Sequence, residues 1–209
     1  MKKLLILLFS FSFLLLSSPS VFADDISDFE IEGISIGDSL LVYMTEDEIL
    51  EGIEKTKDFY LRFNEPHKYA EVYLYKKFEK YDYLSFFIKP TPTSEYISNK
   101  NEKYIILSLR GIKDYIEDFD NCLQNRNEVT EDFSEMFPNA QKIEQVEKHG
   151  IDPSGNSIKD AVYYKFDSGS DIGASCFNFE ENLRLKNNWG EGLSIHIYPK
   201  ELMSWLSNK

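Results

Sequence analysis

Cysteine and histidine, the residues behind most zinc and thiol chemistry, are nearly absent: the 209 residues include two of the former and three of the latter. His67, His149 and His196 are scattered, and Cys122 and Cys176 lie far apart, so no zinc-ligand spacing exists. A CxxC pair is missing, as are a P-loop and a dinucleotide fingerprint, so no cofactor is expected. Basic residues are scarce as well, 23 Lys and Arg against 36 Asp and Glu, for a formal charge of −13. A surface of that sign repels phosphate backbones and anionic lipid, which excludes nucleic acid and membrane surfaces as partners. Beyond the first 16 residues there is no long apolar run, so no membrane insertion is expected of the remainder.

The single apolar run, Leu4 to Leu16, follows Lys2 and Lys3 and precedes "SSPSVFA", which sets Val21 and Ala23 where a signal peptidase reads. Residues 1–23 therefore read as a secretory signal peptide. The run is short for a membrane span of about 20 residues, and no cysteine follows Ala23 to carry a lipid anchor. A short signal whose basic part holds only lysines points to bacterial export, into the periplasm or the medium. Removing it takes away two lysines and no acids, so residues 24–209 carry 21 basic against 36 acidic side chains, or −15. The acids are spread among apolar residues, as on a solvated surface.

In an oxidising compartment the even pair Cys122 and Cys176 is most simply a disulfide. Chain entropy gives such a bond about 4 kcal/mol at this spacing. The competing reading is a redox or catalytic thiol, but neither cysteine has a histidine nearby in sequence.

"FEIEGISI" alternates apolar and polar residues, which predicts a strand with a bulge at Gly33. Thr45 and Glu48 form a capping-box pattern, so a helix begins at Thr45. "FYLRF", "YAEVYLYKKF" and "YDYLSFFIK" read as three strands. The Pro, Thr, Ser and Asn of residues 89–103 make a polar loop. "YIILSLRGI" is a buried strand, and "DYIEDFDNCLQNRNEVTEDFSEMF" is the clearest helix, with Cys122 on its apolar stripe. After a polar segment, "AVYYKF" and "DIGASCFNF" form a hairpin, "GLSIHIY" is a last strand, and Pro199 opens a short terminal helix. The expected fold is α+β: one compact domain over 24–209, an antiparallel sheet with two main helices on one face. Its order suggests a duplicated β-α-β-β-β unit in halves 24–89 and 104–209. The aromatic runs "YAEVYLY" and "YDYLSFF" fit either the two faces of a sheet or a face that binds sugar or peptide.

Gly37-Asp38-Ser39-Leu40 matches the signature of the GDSL serine hydrolases, whose nucleophile stands where an early strand turns into a helix. The resemblance implies Ser39 as nucleophile and His196 as base, in an esterase or lipase. That family takes its base from an Asp-x-x-His, whereas Leu193 stands three residues before His196, and the chain has no Asn-Asp to supply the family's oxyanion asparagine. The local alternative is structural: Asp38 or Ser39 caps the helix start and Gly37 turns the corner. By strand alternation His196 shares a face with Ser194 and Tyr198 and reads as solvent-facing. "DPSGNSIKD" offers Asp152, Ser154 and Asn156 at alternating positions, like the start of a calcium loop, but its glycine falls at position four and Tyr163 at position twelve, so no metal site is read.

Across most of 24–209, "DFEIEGISIGDSLLVYMTEDEI", "FDNCLQNRNEV" and "NNWGEG…SIHIYPKELMSWL" are similar to small exported proteins of AT-rich bacterial genomes. Those proteins have no established activity, so the resemblance contributes no site residues. The expectation is a non-catalytic binding or interaction module of the cell envelope, its partner an unknown protein or small molecule; the alternative is the hydrolase using Ser39. If the export reading holds, the intact mass of the secreted chain begins at Asp24; a mass that includes Met1 to Ala23 refutes it.

Overall fold

The computed structural model describes residues 26, 29–90, 102–187 and 189–208. The expected signal peptide and most of the polar loop at 89–103 lie outside the described residues. Nine strands occur among them: β1 (Glu30–Ile31), β2 (Ile34–Ser35), β3 (Ala70–Leu74), β4 (Tyr83–Ile88), β5 (Ile106–Asp114), β6 (Gln141–Lys148), β7 (Ile158–Lys165), β8 (Asp171–Asn178) and β9 (Gly192–Tyr198). Four helices accompany them: α1 (Glu46–Thr56), α2 (Phe119–Met136), α3 (Glu181–Asn187) and α4 (Lys200–Ser207). Seven strands form one antiparallel sheet in the order β3-β4-β5-β9-β8-β7-β6. Because β4 pairs with β5, the two expected halves share this sheet.

Alternation along the strands gives the sheet two different faces. One carries Val72, Phe86, Leu109, Ile195, Ile197 and Ala174, all buried against α1 and α2. The α1 start has the expected capping box, with Glu48 N donating to Thr45 Oγ1 at 3.3 Å and Thr45 N to Glu48 Oε2 at 2.8 Å, a device worth about 1 kcal/mol. Helix α2 lies across β8 and β9, and Cys122 and Cys176 stand at disulfide distance, 2.00 Å between sulfurs, tying it to the sheet. Phe133 meets Tyr164 edge to face at 5.8 Å, and the Tyr164 hydroxyl donates to Thr130 O at 2.6 Å.

Several elements differ from the sequence expectation. "FYLRF" is not a strand: Phe59 N bonds back to Thr56 O and Phe63 N to Tyr60 O, so the chain turns repeatedly there. Two of its aromatic rings, Tyr60 and Phe63, which mimic strand propensity, instead cover the second sheet face. "QKIEQVEK" is a strand, β6, that the pattern hid because it is an edge strand with both faces wet. Gly33 makes a tight turn between β1 and β2, not a bulge, with Glu32 and Gly33 at φ 55° and 73°. The strained Glu32 is held by its own carboxylate, which accepts from Glu79 N and Lys80 N at 3.1 and 2.6 Å. Helix α3 was not expected at all.

The second face is also covered. Helix α4 lies on it, with Leu202 and Trp205 buried against Phe63, Tyr69 and Phe87. Trp205 Nε1 donates to Glu65 O at 2.8 Å and its ring sits 5.0 Å from Tyr60.

Replacing both Cys122 and Cys176 by alanine is expected to lower unfolding stability by about 4 kcal/mol, the loop entropy of a 54-residue separation. Urea denaturation reads this directly; a midpoint unmoved by reductant or by the double substitution contradicts it.

Candidate functional site

Strand register assembles a row of side chains across the second face. Tyr73 pairs with Ser85, Ser85 with Arg110, Arg110 with His196, His196 with Gly173 and Gly173 with Tyr163. Flanking this row are Glu71, paired with Phe87, and Tyr198, paired with Asp171. A sheet open to water on this side would leave these groups solvated, but α4 and the rings around Trp205 close over part of it.

Arg110 is the central charge. Its Nη1 lies 3.6 Å from Glu71 Oε1, and Glu71 is itself only 2 % exposed. Tyr60 donates to the other carboxylate oxygen at 2.7 Å. Desolvation works against the guanidinium charge, but Tyr198, Glu71, Tyr73 and Tyr60 outweigh it and raise the Arg110 pKa. Burial together with Glu71 pushes the Tyr60 and Tyr73 hydroxyls far above their ordinary value, so both stay protonated.

His196 is the neighbouring titratable group and is buried, 7 % exposed, which corrects the solvent-facing expectation. Its alternation was right, but α4 covers the face to which it points. The ring stacks on Tyr198 at 4.3 Å, and its Nε2 stands 3.4 Å from Asp171 Oδ1. Burial lowers the His196 pKa, with Arg110 and Lys159 adding to the effect, while the Asp171 carboxylate opposes it. Gly173 makes the room: a Cβ there would lie 2.6 Å from His196 Cε1 and 2.8 Å from Tyr163 Cδ1.

Beside this layer runs a cavity of about 280 Å³, lined by Arg110, Lys159, Tyr163, Asp171, His196 and residues of α4. Arg110, Phe177 and Ser194 form the wall it shares with an aromatic groove of about 290 Å³. There His149, Phe177, Phe179 and Trp189 meet ring to ring, Phe179 lying 5.1 Å from both His149 and Trp189. Burial lowers the His149 pKa, helped by Lys159 and opposed by Glu147 and Asp152. Glu191 closes one end, paired with Arg184 at 3.1 Å, and burial raises its pKa against the pull of Arg184.

Among the described residues, six buried side-chain polar atoms have no hydrogen-bond partner. Four of them, Glu71 Oε1, Ser85 Oγ, Arg110 Nε and Asp171 Oδ1, lie on this one face, and His149 Nδ1 belongs to the aromatic groove. Glu71 Oε1 and Asp171 Oδ1 still face Arg110 Nη1 and His196 Nε2, but a buried polar atom with no partner at all, such as Ser85 Oγ, costs about 1–3 kcal/mol, and native folds tolerate few of them.

The residues singled out by motif lie elsewhere. Ser39 is 5 % exposed, its Oγ donates to Lys103 O at 2.7 Å, and it makes no helix cap. Asp38 does not cap either: its carboxylate accepts from Ser35 N at 3.0 Å and from the Tyr43 hydroxyl at 2.6 Å, locking the turn that follows β2. Gly37, at φ 92°, does turn the corner. Ser39 bridges to Ile105, five residues along β5 from the partner of His196, or about 16 Å at strand rise. The fold thus gives His196 a carboxylate but does not bring Ser39 to it. Asp152 closes its own loop, accepting from Ser154 N, Asn156 N, Ser157 N and the Ser157 hydroxyl at 2.7–3.1 Å. Those bonds, led by Ser154, hold its pKa far below the ordinary carboxylate value. The motif search missed Glu71, Arg110 and Asp171. The signal for Arg110 was a charge inside "ILSLRGI", otherwise a buried strand.

No protein-family model, curated protein or solved structure matches the chain.

The depressed His196 pKa has a sign that can be measured. Above the ordinary value of 6.5 the imidazole is neutral in both folded and unfolded chains; below it the unfolded chain takes up the proton first, so stability falls as pH drops toward the folded value. Relative to His196→Asn, the wild type is expected to lose up to about 1.4 kcal/mol per pH unit in that window. Denaturant midpoints of the two proteins against pH test this, and parallel profiles contradict it.

Proposed function

We propose that the protein is an exported, non-catalytic binding module of the bacterial cell envelope whose ligand seats on the sheet face opposite α1 and α2. The supporting observation is the polar layer on that face. Arg110, Glu71, His196 and Asp171 sit half-buried or buried beside two adjoining cavities; Ser85 Oγ and Arg110 Nε have no hydrogen-bond partner, and Glu71 Oε1 and Asp171 Oδ1 have only the ion-pair contacts to Arg110 and His196. A face needed only for packing gains nothing from this composition, since apolar side chains of equal volume avoid the desolvation cost. Buried polar groups and shifted pKa values beside a groove are marks of a binding surface. The polar cavity orients a ligand through donors and acceptors, and the aromatic groove supplies apolar contact area.

Export is supported by the tripartite N-terminal pattern and by the Cys122–Cys176 pair. Binding is the better reading than acyl transfer because the Ser39 hydroxyl is engaged with Lys103 O and lies on a different part of the sheet from His196.

A ligand bound on this face raises the melting temperature of the purified protein. Saturation at a hundredfold excess over Kd corresponds to about 2.7 kcal/mol. Fractions of a cell-envelope extract are therefore screened by thermal shift against wild type and Trp189→Ala. A fraction that stabilises the wild type and not the variant is expected; one that stabilises both equally places the ligand elsewhere and overturns the reading.

A further inference from the structure

The two cavities continue into a third. Tyr83, Trp189 and Gly190 line both the aromatic groove and a cavity of about 790 Å³ that starts at Tyr73, Tyr75 and Tyr83 on the same face and reaches round the edge strand β3 to α1. The three adjoin in a row, sharing lining residues, and the cleft they outline has aromatic rings along it. Tyr73 stacks on Tyr75 at 6.2 Å and Tyr75 lies 5.1 Å from Tyr83; a second group follows, in which Trp189 lies 5.1 Å from Phe179 and Phe179 stacks on Phe177 at 5.9 Å. The rings are not all core residues: Tyr75 is 71 % exposed and Phe59, at the far end, 56 %. Exposed rings in sequence along a cleft mark a contact surface.

Charge narrows what fits. Each cavity carries both signs: Arg110 and Lys159 with Asp171, Arg110 with Asp114 and Glu191, and Lys55 with Glu48 and Glu51. An anionic chain meets a carboxylate in every cavity and a cationic chain meets an ammonium or guanidinium, each an unfavourable contact. Hydroxyl groups escape this, since each both donates and accepts a hydrogen bond and so suits Asp171 as well as Arg110. A peptide strand would seek unpaired backbone, but β5, β9 and β8, under the middle of the cleft, are paired on both sides. Resting on the reading above that this face takes the ligand, we propose that the cleft binds a neutral oligosaccharide, with successive sugar rings laid on the aromatic side chains.

Calorimetric titration of the purified protein with cellotetraose, maltotetraose and the tetramer of N-acetylglucosamine, each beside its monosaccharide, tests this. At least one tetramer is expected to bind, and at least tenfold more tightly than its monomer. Trp189→Ala abolishes that binding. Tyr75→Ala, a change at an exposed ring that leaves the fold intact, weakens the tetramer about three- to tenfold, the worth of one aromatic contact. Binding of a tetragalacturonate or of a Trp- and Tyr-containing decapeptide, lost in Trp189→Ala, with none of the neutral tetramers bound, overturns the saccharide assignment and leaves the binding face standing. Failure of every neutral tetramer, or tetramers no tighter than monomers, also overturns it, and the extract screen then judges the face independently.

Discussion

Placing a guanidinium in the middle of a seven-stranded sheet is tolerable only where opposite charge and hydroxyls surround it, and Arg110 is the group about which the second face is arranged. Glu71 comes from β3, two strands away on one side; Tyr198 comes from β9 on the other; Tyr60 arrives from the turning segment after α1. Every one of these must be held from outside its own strand. Tyr60 is fixed by packing on Trp205 and Phe87, so the α4 contact that looks like simple burial also positions the Arg110 environment. His196 inherits its character from the same source. Burial first, and the neighbouring Arg110 charge after it, drive its imidazole toward the neutral form in spite of Asp171.

The two faces divide the work. On the first, α1 and α2 bury aliphatic residues, and the disulfide between α2 and β8 ties the helix layer to the strands. The second keeps polar groups whose hydrogen bonding is incomplete. The rigidity of one supports the other, because strand pairing transmits the position of the buried rows directly to the side chains that alternate with them: Leu109 and Gly111 lock the placing of Arg110, and Ile195 and Ile197 that of His196.

Much of the architecture was legible. The antiparallel sheet, α1 with its capping box, α2 with Cys122 inward, and the closing helix after Pro199 all follow from apolar period and cap chemistry. What misled was physical in each case. "FYLRF" has strand composition, but its rings Tyr60 and Phe63 are used to roof the second face, which local propensity does not encode. The β6 strand lies at an edge with no buried side, so it has no apolar period to read. Strand alternation placed His196 correctly with Ser194 and Tyr198, yet whether that face meets water depends on α4, a contact absent from the local sequence. The polar layer was missed for a related reason: Glu71, Arg110 and Asp171 are spread over three strands and become neighbours only through register. Gly37-Asp38-Ser39-Leu40, the tetrapeptide with a motif, marks a corner, whereas the residues of the polar layer belong to no motif at all.

The order of strands has a bearing on how the molecule is assembled in time. The sheet consists of two blocks, β3-β4-β5 and β6-β7-β8, each built from neighbours in the chain, and β9 is the strand that lies between them. Until it inserts, β5 and β8 are both raw edges and Arg110 has no His196 opposite it. Pairing β5 with β9 closes the longest chain separation in the sheet, the kind of contact that slows folding, and the same pairing sets Arg110 opposite His196, so the polar row is built on the seam that joins the two blocks.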